Sequence, residues 1–283
     1  MKQKLDWTEI DAIIDRALTE DIGSGDVTSL AMQIDLSANA EIISKQKGVL
    51  SGIEVAKRVF TLHDAGLNVQ CLKHDGDLLQ EGDVILKIMG AGESILTAER
   101  TALNLIGRMS GIATLTEEFV KKTKGTKCRI LDTRKTMPNL RLLDKYAVTC
   151  GGGDNHRIGL YDMILIKENH IRWAGGLEKA LEAALDFAKP RKLEIEIEVN
   201  DLYEYERAAK YPIKMIMLDH FTLSELREAV SIEHRNILLE ASGDINLNTI
   251  ENIAKTGIDV VSIGALTHSA PNYDFSLLFH ETK

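Results

Sequence analysis

Residues 193–219 read "LEIEIEVNDLYEYERAAKYPIKMIMLD". The stretch opens on a strand-like run, "LEIEIEV", passes through the helical pattern "LYEYERAAK" and closes on a second strand-like run, "KMIMLD". Strand, helix and strand in that order are the repeating unit of a parallel sheet. The alternation extends both ways after about residue 125. "KCRILDT", "DMILIKEN", "RNILLEAS" and "DVVSIG" read as strands, and "GLEKALEAALDFA", "LSELREAV" and "LNTIENIAKTG" as helices. Most of these strands are near-continuous apolar runs, as burial on both faces requires. Thr222 and Glu225 form a capping box, and Gly257 follows a helix end. An α/β barrel or a doubly wound sheet follows. Six strands are clear where a full barrel has eight, so a barrel here is incomplete or hides a strand near "YAVTCGGG" at 146–153.

Upstream the pattern differs. From about Ala40 to Gly92 short β-type runs alternate with turns, and the Asp-Gly and Glu-Gly pairs at 75–76 and 81–82 stand where hairpin turns are expected. "DGDLLQEGDVILKIMG" resembles the hairpin of a biotinyl or lipoyl carrier but offers no lysine at an exposed turn, so a small sheet domain is the preferred reading. A helix is expected over Thr97–Met109, with Leu96, Leu103 and Ile106 on its apolar face and Arg100 one turn in. Residues 1–21 read as an amphipathic helix with Ile10, Ile13, Ile14, Ala17 and Leu18 on one stripe.

Composition narrows the function. The 283 residues carry a formal charge of −9, without the basic excess of a nucleic-acid-binding domain. No apolar run approaches the roughly 20 residues of a membrane span, and the amino terminus lacks the apolar core and cleavage site of a signal peptide. Cys71, Cys128 and Cys150 are far apart and form no CxxC pair, which argues against a disulfide framework or zinc site and for the cytosol.

Against that acidic background, "DTRKT" (132–136) and "GGGDNHR" (151–157) gather Arg134, Lys135, His156 and Arg157 beside three glycines, a composition suited to a small, highly anionic ligand. Nearly every strand ends in a chemically capable residue: Asp132 with Arg134 and Lys135, then Lys167, Glu198, Asp219, Ser242 and Gly264. Barrel active sites form at those carboxyl ends. Glu194, Glu196 and Glu198 share a strand face, where an ion-pair network is as natural a reading as function for the first two. Glu198 and Asp219 suit a hydrated Mg²⁺ held with substrate phosphates. "EASGDINLNT" and "SIGALTHSAP" each pass from strand through glycine into helix, as phosphate-binding junctions do. Lys167 or Lys135 at a strand end could also serve as the Schiff-base lysine of a barrel aldolase.

Stretches along nearly the whole chain resemble the quinolinate phosphoribosyltransferases: "ALTEDIGSGDVTS", "ERTALNLIGRMSGIAT", "DTRKT", "LDKYAVTCGGGDNHRIGLYDMILIKENHI", "EIEV", "MLD", "LLEASGDI" and "SIGALTHSAP". The resemblance implies an amino-terminal open β-sheet (α+β) domain, 1–110, followed by an incomplete α/β barrel, 111–283, with 267–283 packing back on the first domain. It implies a cytoplasmic homodimer or higher oligomer in which each first domain covers the partner's active site. The implied reaction moves phosphoribosyl from phosphoribosyl pyrophosphate to quinolinate with Mg²⁺, releasing pyrophosphate and CO₂ and giving nicotinate mononucleotide for NAD synthesis. Arg134, His156 and Arg157, joined by Arg100 of the neighbouring subunit, would bind the quinolinate carboxylates. Lys135 and Lys167 would serve both substrates, Glu198 and Asp219 the ribose and Mg²⁺, and these four would carry the chemistry. Ser242, Gly243, Gly264 and Ala265 would form the 5-phosphate loops. Three positions depart from the pattern: His220 where Asn is common, Asp244 where a second glycine is common, and Met137 where threonine is frequent. Pyrophosphorylase-like proteins associated with molybdate uptake share much of this pattern and form a second reading.

Overall fold

The structure, a computed structural model, describes residues 5–32, 36–234 and 236–280. Residues 1–4 and 281–283, at the ends of the expected first domain and closing segment, and Arg235, at the head of the strand-like run 235–242, lie outside the described residues. The chain forms two compact units: Met1–Glu117 with Thr136–Gly152 and Thr267–Lys283, and Glu118–Lys135 with Gly153–Leu266.

The first unit begins with α1 (Trp7–Ile22), whose N-cap Asp6 accepts the Thr8 N–H at 3.0 Å and whose apolar stripe buries Ile10, Ile13, Ile14 and Leu18. After α2 (Val27–Met32), the strands β1 (Ser37–Ser44), β2 (Gly48–Val49), β3 (Asn68–Cys71), β4 (Leu78–Leu79) and β5 (Val84–Ala91) follow. The segment 40–92 is not all strand, because α3 (Ile53–His63) interrupts it. Ile53, Val55, Val59 and Thr61 are β-branched, but Ile53, Ala56 and Phe60 recur at helical spacing and are buried. Gly76 and Gly82 adopt φ of 92° and 87°, so the two turns form as read. They do not close hairpins, since β2 pairs with β4 and β3 pairs with β5.

The helix expected over 97–109 runs further, as α4 (Gly92–Lys122). Its glycines mark contact rather than breaks: a Cβ at Gly107 would lie 2.9 Å from the Tyr273 carbonyl oxygen, and one at Gly111 would lie 2.0 Å from that of Pro271. "YAVTCGGG" hides no strand. Its first five residues end a helix, 141–150, which is numbered α5 (Arg141–Cys150). Within α5, Asp144 is fully buried and accepts Arg108 Nε and Nη2 at 2.8 and 2.7 Å. Gly151 stops the helix, and a Cβ there would meet the Ala113 carbonyl at 2.3 Å. Gly151 is therefore required for packing against α4, not for approach to an anion.

In the second unit β6 (Arg129–Leu131), β7 (Ile164–Ile166), β8 (Ile195–Val199), β9 (Met215–Asp219), β10 (Leu238–Ser242) and β11 (Val260–Ser262) form one parallel sheet in the order β6-β11-β10-β9-β8-β7. The connections carry α6 (Glu168–Ala174), α7 (Leu177–Ala188), α8 (Leu202–Ala208), α9 (Leu223–Ser231) and α10 (Ile250–Ala254), and α11 (Ala265–His268) follows β11. Thr222 and Glu225 make the capping box of α9. Ile197, Ile216, Leu218, Leu239 and Val261 are fully buried on the side covered by these helices. The opposite face is floored by Leu131, Met215 and Val260, with Met163 and Leu238 packed against them. Above that floor the same face turns polar. The chain closes in the first unit, where β12 (Phe275–His280) pairs antiparallel with β1 to complete the sheet order β12-β1-β5-β3.

Candidate active site

Register sets the polar face. Glu196 lies opposite Met215, Glu198 and Glu240 both lie opposite Met217, and Asp219 lies opposite Ser242. Alternation then directs all four carboxylates to one side, with Glu198, Asp219 and Ser242 nearest the carboxyl ends of their strands. Lys167, immediately after β7, reaches Glu198 Oε2 and forms an ion pair with it. His170 Nδ1 accepts the Lys167 N–H at 2.9 Å and holds the backbone there.

The cationic loop is tied to the end of β6 by Asp132, which is fully buried. Its carboxylate accepts Asn155 Nδ2 at 2.5 Å and the His156 backbone N–H at 2.9 Å. Arg157 Nη1 donates to the Met163 carbonyl at 3.2 Å. Burial, and then the like charge of Arg134, hold the Arg157 pKa below the ordinary guanidinium range. Two guanidiniums held close in a partly desolvated place favour an incoming dianion. Lys135 is exposed beside them, its N–H donating to Thr133 Oγ1 at 3.0 Å.

His156 is placed differently from a residue that faces a ligand. Its side chain is 6 % exposed, and Nε2 lies 2.9 Å from Glu196 Oε2 and 3.3 Å from Glu240 Oε2, both glutamates being fully buried. The Arg157 N–H donates to its Nδ1 at 2.7 Å, which favours the Nε2–H tautomer aimed at the carboxylates. Burial alone would lower the His156 pKa, but the two carboxylates outweigh it and raise it to about 10. Burial, followed by the charge of Glu240, raises Glu196 to about 7. The Nε2 proton is held between the ring and the two carboxylates, which makes the three side chains one buried ionic group. Among the described residues these three side chains are also the group whose ligand atoms converge closely enough to hold a metal ion.

Asp219 Oδ2 lies 2.8 Å from His220 Nδ1, and the hydrogen bond, with the Asp219 charge, raises the His220 pKa. Ser242 and Gly243 end β10, Gly243 at φ 101°; Gly264 and Ala265 link β11 to α11. Met137, exposed, donates its N–H to Asp144 at 3.1 Å within the first unit. Arg100 also belongs to the first unit, on α4, with an exposed guanidinium 4.0 Å from Glu99. The second unit thus brings together Arg134, Lys135, His156, Arg157, Lys167, Glu198, Asp219, Ser242, Gly243, Gly264 and Ala265. Sequence reasoning did not single out Asn155 or Glu240, whose partners are distant in the chain. The polar position of Glu240 within an apolar strand was the available signal.

Cations and carboxylates arrayed at the carboxyl ends of one open parallel sheet define an α/β-barrel enzyme acting on anionic substrates. The match to known proteins is specific. Residues 26–110 match the model for "Quinolinate phosphoribosyl transferase, N-terminal domain" and residues 112–278 that for the C-terminal domain, so the chain belongs to the quinolinate phosphoribosyltransferase family. It is 40% identical over 288 residues to quinolinate phosphoribosyltransferase [decarboxylating] 2a, mitochondrial, of Nicotiana tabacum, covering 95% of this chain and 82% of the relative. It is 40% identical over 271 residues to the probable nicotinate-nucleotide pyrophosphorylase [carboxylating] of Bacillus subtilis, covering 95% and 93%. The solved nicotinate-nucleotide pyrophosphorylase of Francisella tularensis superposes with a TM-score of 0.94 at 40% identity, covering 98% of each chain. Neither the aldolase nor the molybdate-associated reading is favoured by these matches.

Proposed function

We propose that this protein is a pentosyltransferase that moves the phosphoribosyl group of phosphoribosyl pyrophosphate to quinolinate and releases CO₂, giving nicotinate mononucleotide. The carrying observation is the placement of Arg134 and Arg157 beside Lys167, Glu198 and Asp219 at one end of one sheet. In this reading the guanidiniums take the acceptor carboxylates, and His156, with both ring nitrogens turned inward, supports Arg157. Lys135 and Lys167 bridge the acceptor and the donor. The ring nitrogen attacks C1 of the ribose, and the C1–O bond electrons leave with pyrophosphate. Glu198 and Asp219 stabilise the positive charge that builds at C1. The ring nitrogen is now cationic, so the C2–carboxylate bond can break with its electrons retained at C2, which takes a proton. No protein base is required.

Glu198 and Asp219 would hold Mg²⁺. Hard carboxylate oxygens on adjacent strand ends fit it, and because Lys167 and His220 already engage both groups, the ion would arrive hydrated and with the donor phosphates. When bound, it would neutralise charge on the leaving pyrophosphate. The His156, Glu196 and Glu240 group, with its nitrogen donor, suits Mg²⁺ less well.

Incubation with quinolinate, phosphoribosyl pyrophosphate and Mg²⁺ is expected to yield nicotinate mononucleotide and CO₂ in equal amounts. Nicotinate, with one carboxylate fewer, leaves a guanidinium unmatched at a cost of about 1.5–3 kcal/mol. Its kcat/KM is therefore expected to be roughly ten- to hundredfold lower. Comparable turnover of nicotinate would remove the two-carboxylate assignment. Asp219→Asn is expected to raise the Mg²⁺ concentration for half-maximal rate about tenfold, the scale of one charge-assisted contact, with quinolinate binding little changed. An unaltered Mg²⁺ curve would restrict Asp219 to a structural part.

A further inference from the structure

His220 and Asp244 close the ends of neighbouring strands, β9 and β10, and both hold backbone conformations that side chains seldom adopt. Their φ values are 58° and 46°, in the left-handed region, and neither residue is glycine. Such outliers persist where surrounding structure enforces them and cluster at functional sites. The His220 N–H donates to the Ser242 carbonyl at 2.9 Å. Its ring lies over Gly243, where an added Cβ would come within 2.7 Å of ring carbons. One ring edge meets Asp219 Oδ2 at 2.8 Å, and the other stands 3.8 Å from Asp244 Oδ2. The imidazole therefore stands between two carboxylates, over the backbone of the Ser242–Gly243 turn.

Stability does not account for this arrangement. Side-chain exposure is 61 % at His220 and 99 % at Asp244, and exposed pairs contribute little to folding. Water screens the pair in the free protein. A phosphate group bound at the turn would displace that water, and an unshielded carboxylate beside it would then repel it strongly.

We infer that His220 and Asp244 act as one specificity-determining unit for the donor phosphate, His220 fixing Asp219 and shielding the Asp244 carboxylate from the incoming group. This rests on the phosphoribosyltransferase reading above. It predicts a coupling that a purely structural histidine would not produce. With His220 removed, Asp244 opposes phosphate; with both changed, the opposition disappears.

The test is a double-mutant cycle with His220→Asn and Asp244→Asn. Asparagine tolerates the left-handed region, so both variants keep the backbone. Calorimetric titration with phosphoribosyl pyrophosphate gives the dissociation constant of all four proteins without requiring turnover. His220→Asn is expected to weaken binding about tenfold, Asp244→Asn to leave it equal or tighter, and the double variant to recover most of the His220→Asn loss, short of wild type by what the Asp219 contact contributes, a non-additivity typical of side chains in contact. Quinolinate binding should stay level throughout. Independent, multiplicative effects at the two positions, or equal losses for quinolinate, would overturn the inference. Turnover of quinolinate by the wild type is assayed separately, so a failure there would strike the reaction and not the coupling.

Discussion

His156→Ala is expected to lower the free energy of unfolding by about 3–5 kcal/mol, the cost of removing one partner from a buried ionic group. Glu196 and Glu240 are fully buried on the polar face of the sheet, and the imidazole lies within 3.3 Å of both. Without it, two carboxylates remain out of water beside each other, and the alanine side chain cannot replace the lost donor. The same cluster explains the rescue. Adding Glu240→Gln to His156→Ala removes one of the facing charges and should recover a substantial part of the loss. Urea unfolding of the wild type, the single variant and the double variant measures both effects. A loss under about 1 kcal/mol, typical of an exposed pair, would mean that the three groups are not the buried unit described. A full loss with no rescue would point instead to packing of the ring.

The parallel sheet was legible because buried parallel strands leave a plain signature. "MIMLD" and "LLEAS" admit few other readings, and the residues after them fall at strand ends by geometry alone. The capping box of Thr222 and Glu225 was equally local. What escaped was set by distant parts of the chain. The helix expected to end at Met109 continues to Lys122, through Gly111, whose missing Cβ leaves room for the Pro271 carbonyl. Ile53, Val55 and Val59 favour a strand by composition, yet tertiary burial of their helical stripe prevails. Arg134, Lys135, His156 and Arg157 were read as one group with the glycines at 151–153, but Gly151 belongs to the packing of α5 on α4. His156 drew attention as a cation beside arginines. Its partners Glu196 and Glu240 lie on β8 and β10, and only the register of the sheet brings them to it.

Arg100→Ala is expected to give a folded, inactive protein whose activity returns when it is mixed with an inactive barrel variant such as Lys135→Ala. The expectation belongs to the proposed dimer with shared active sites, and the first unit supplies its motive. Leu36 is 68 % exposed, Met32 61 %, Leu96 47 % and Phe279 43 %, and together they line one apolar groove. Exposed apolar surface of this kind suits contact with another chain. Leu96 and Arg100 are four residues apart on α4 and therefore share a helix face. The arginine thus lies beside this apolar surface, with its guanidinium exposed. Loss of a bidentate clamp on one acceptor carboxylate would misorient the reacting ring and abolish turnover without disturbing the core. In a mixed dimer one site carries both defects and the other neither. Random exchange makes half of the dimers mixed, so roughly a quarter of wild-type activity should return for independent sites in a twofold dimer. Exchange is verified by native mass spectrometry of differently tagged chains. If mixed dimers form and activity stays at the parental background, Arg100 does not complete the partner's site.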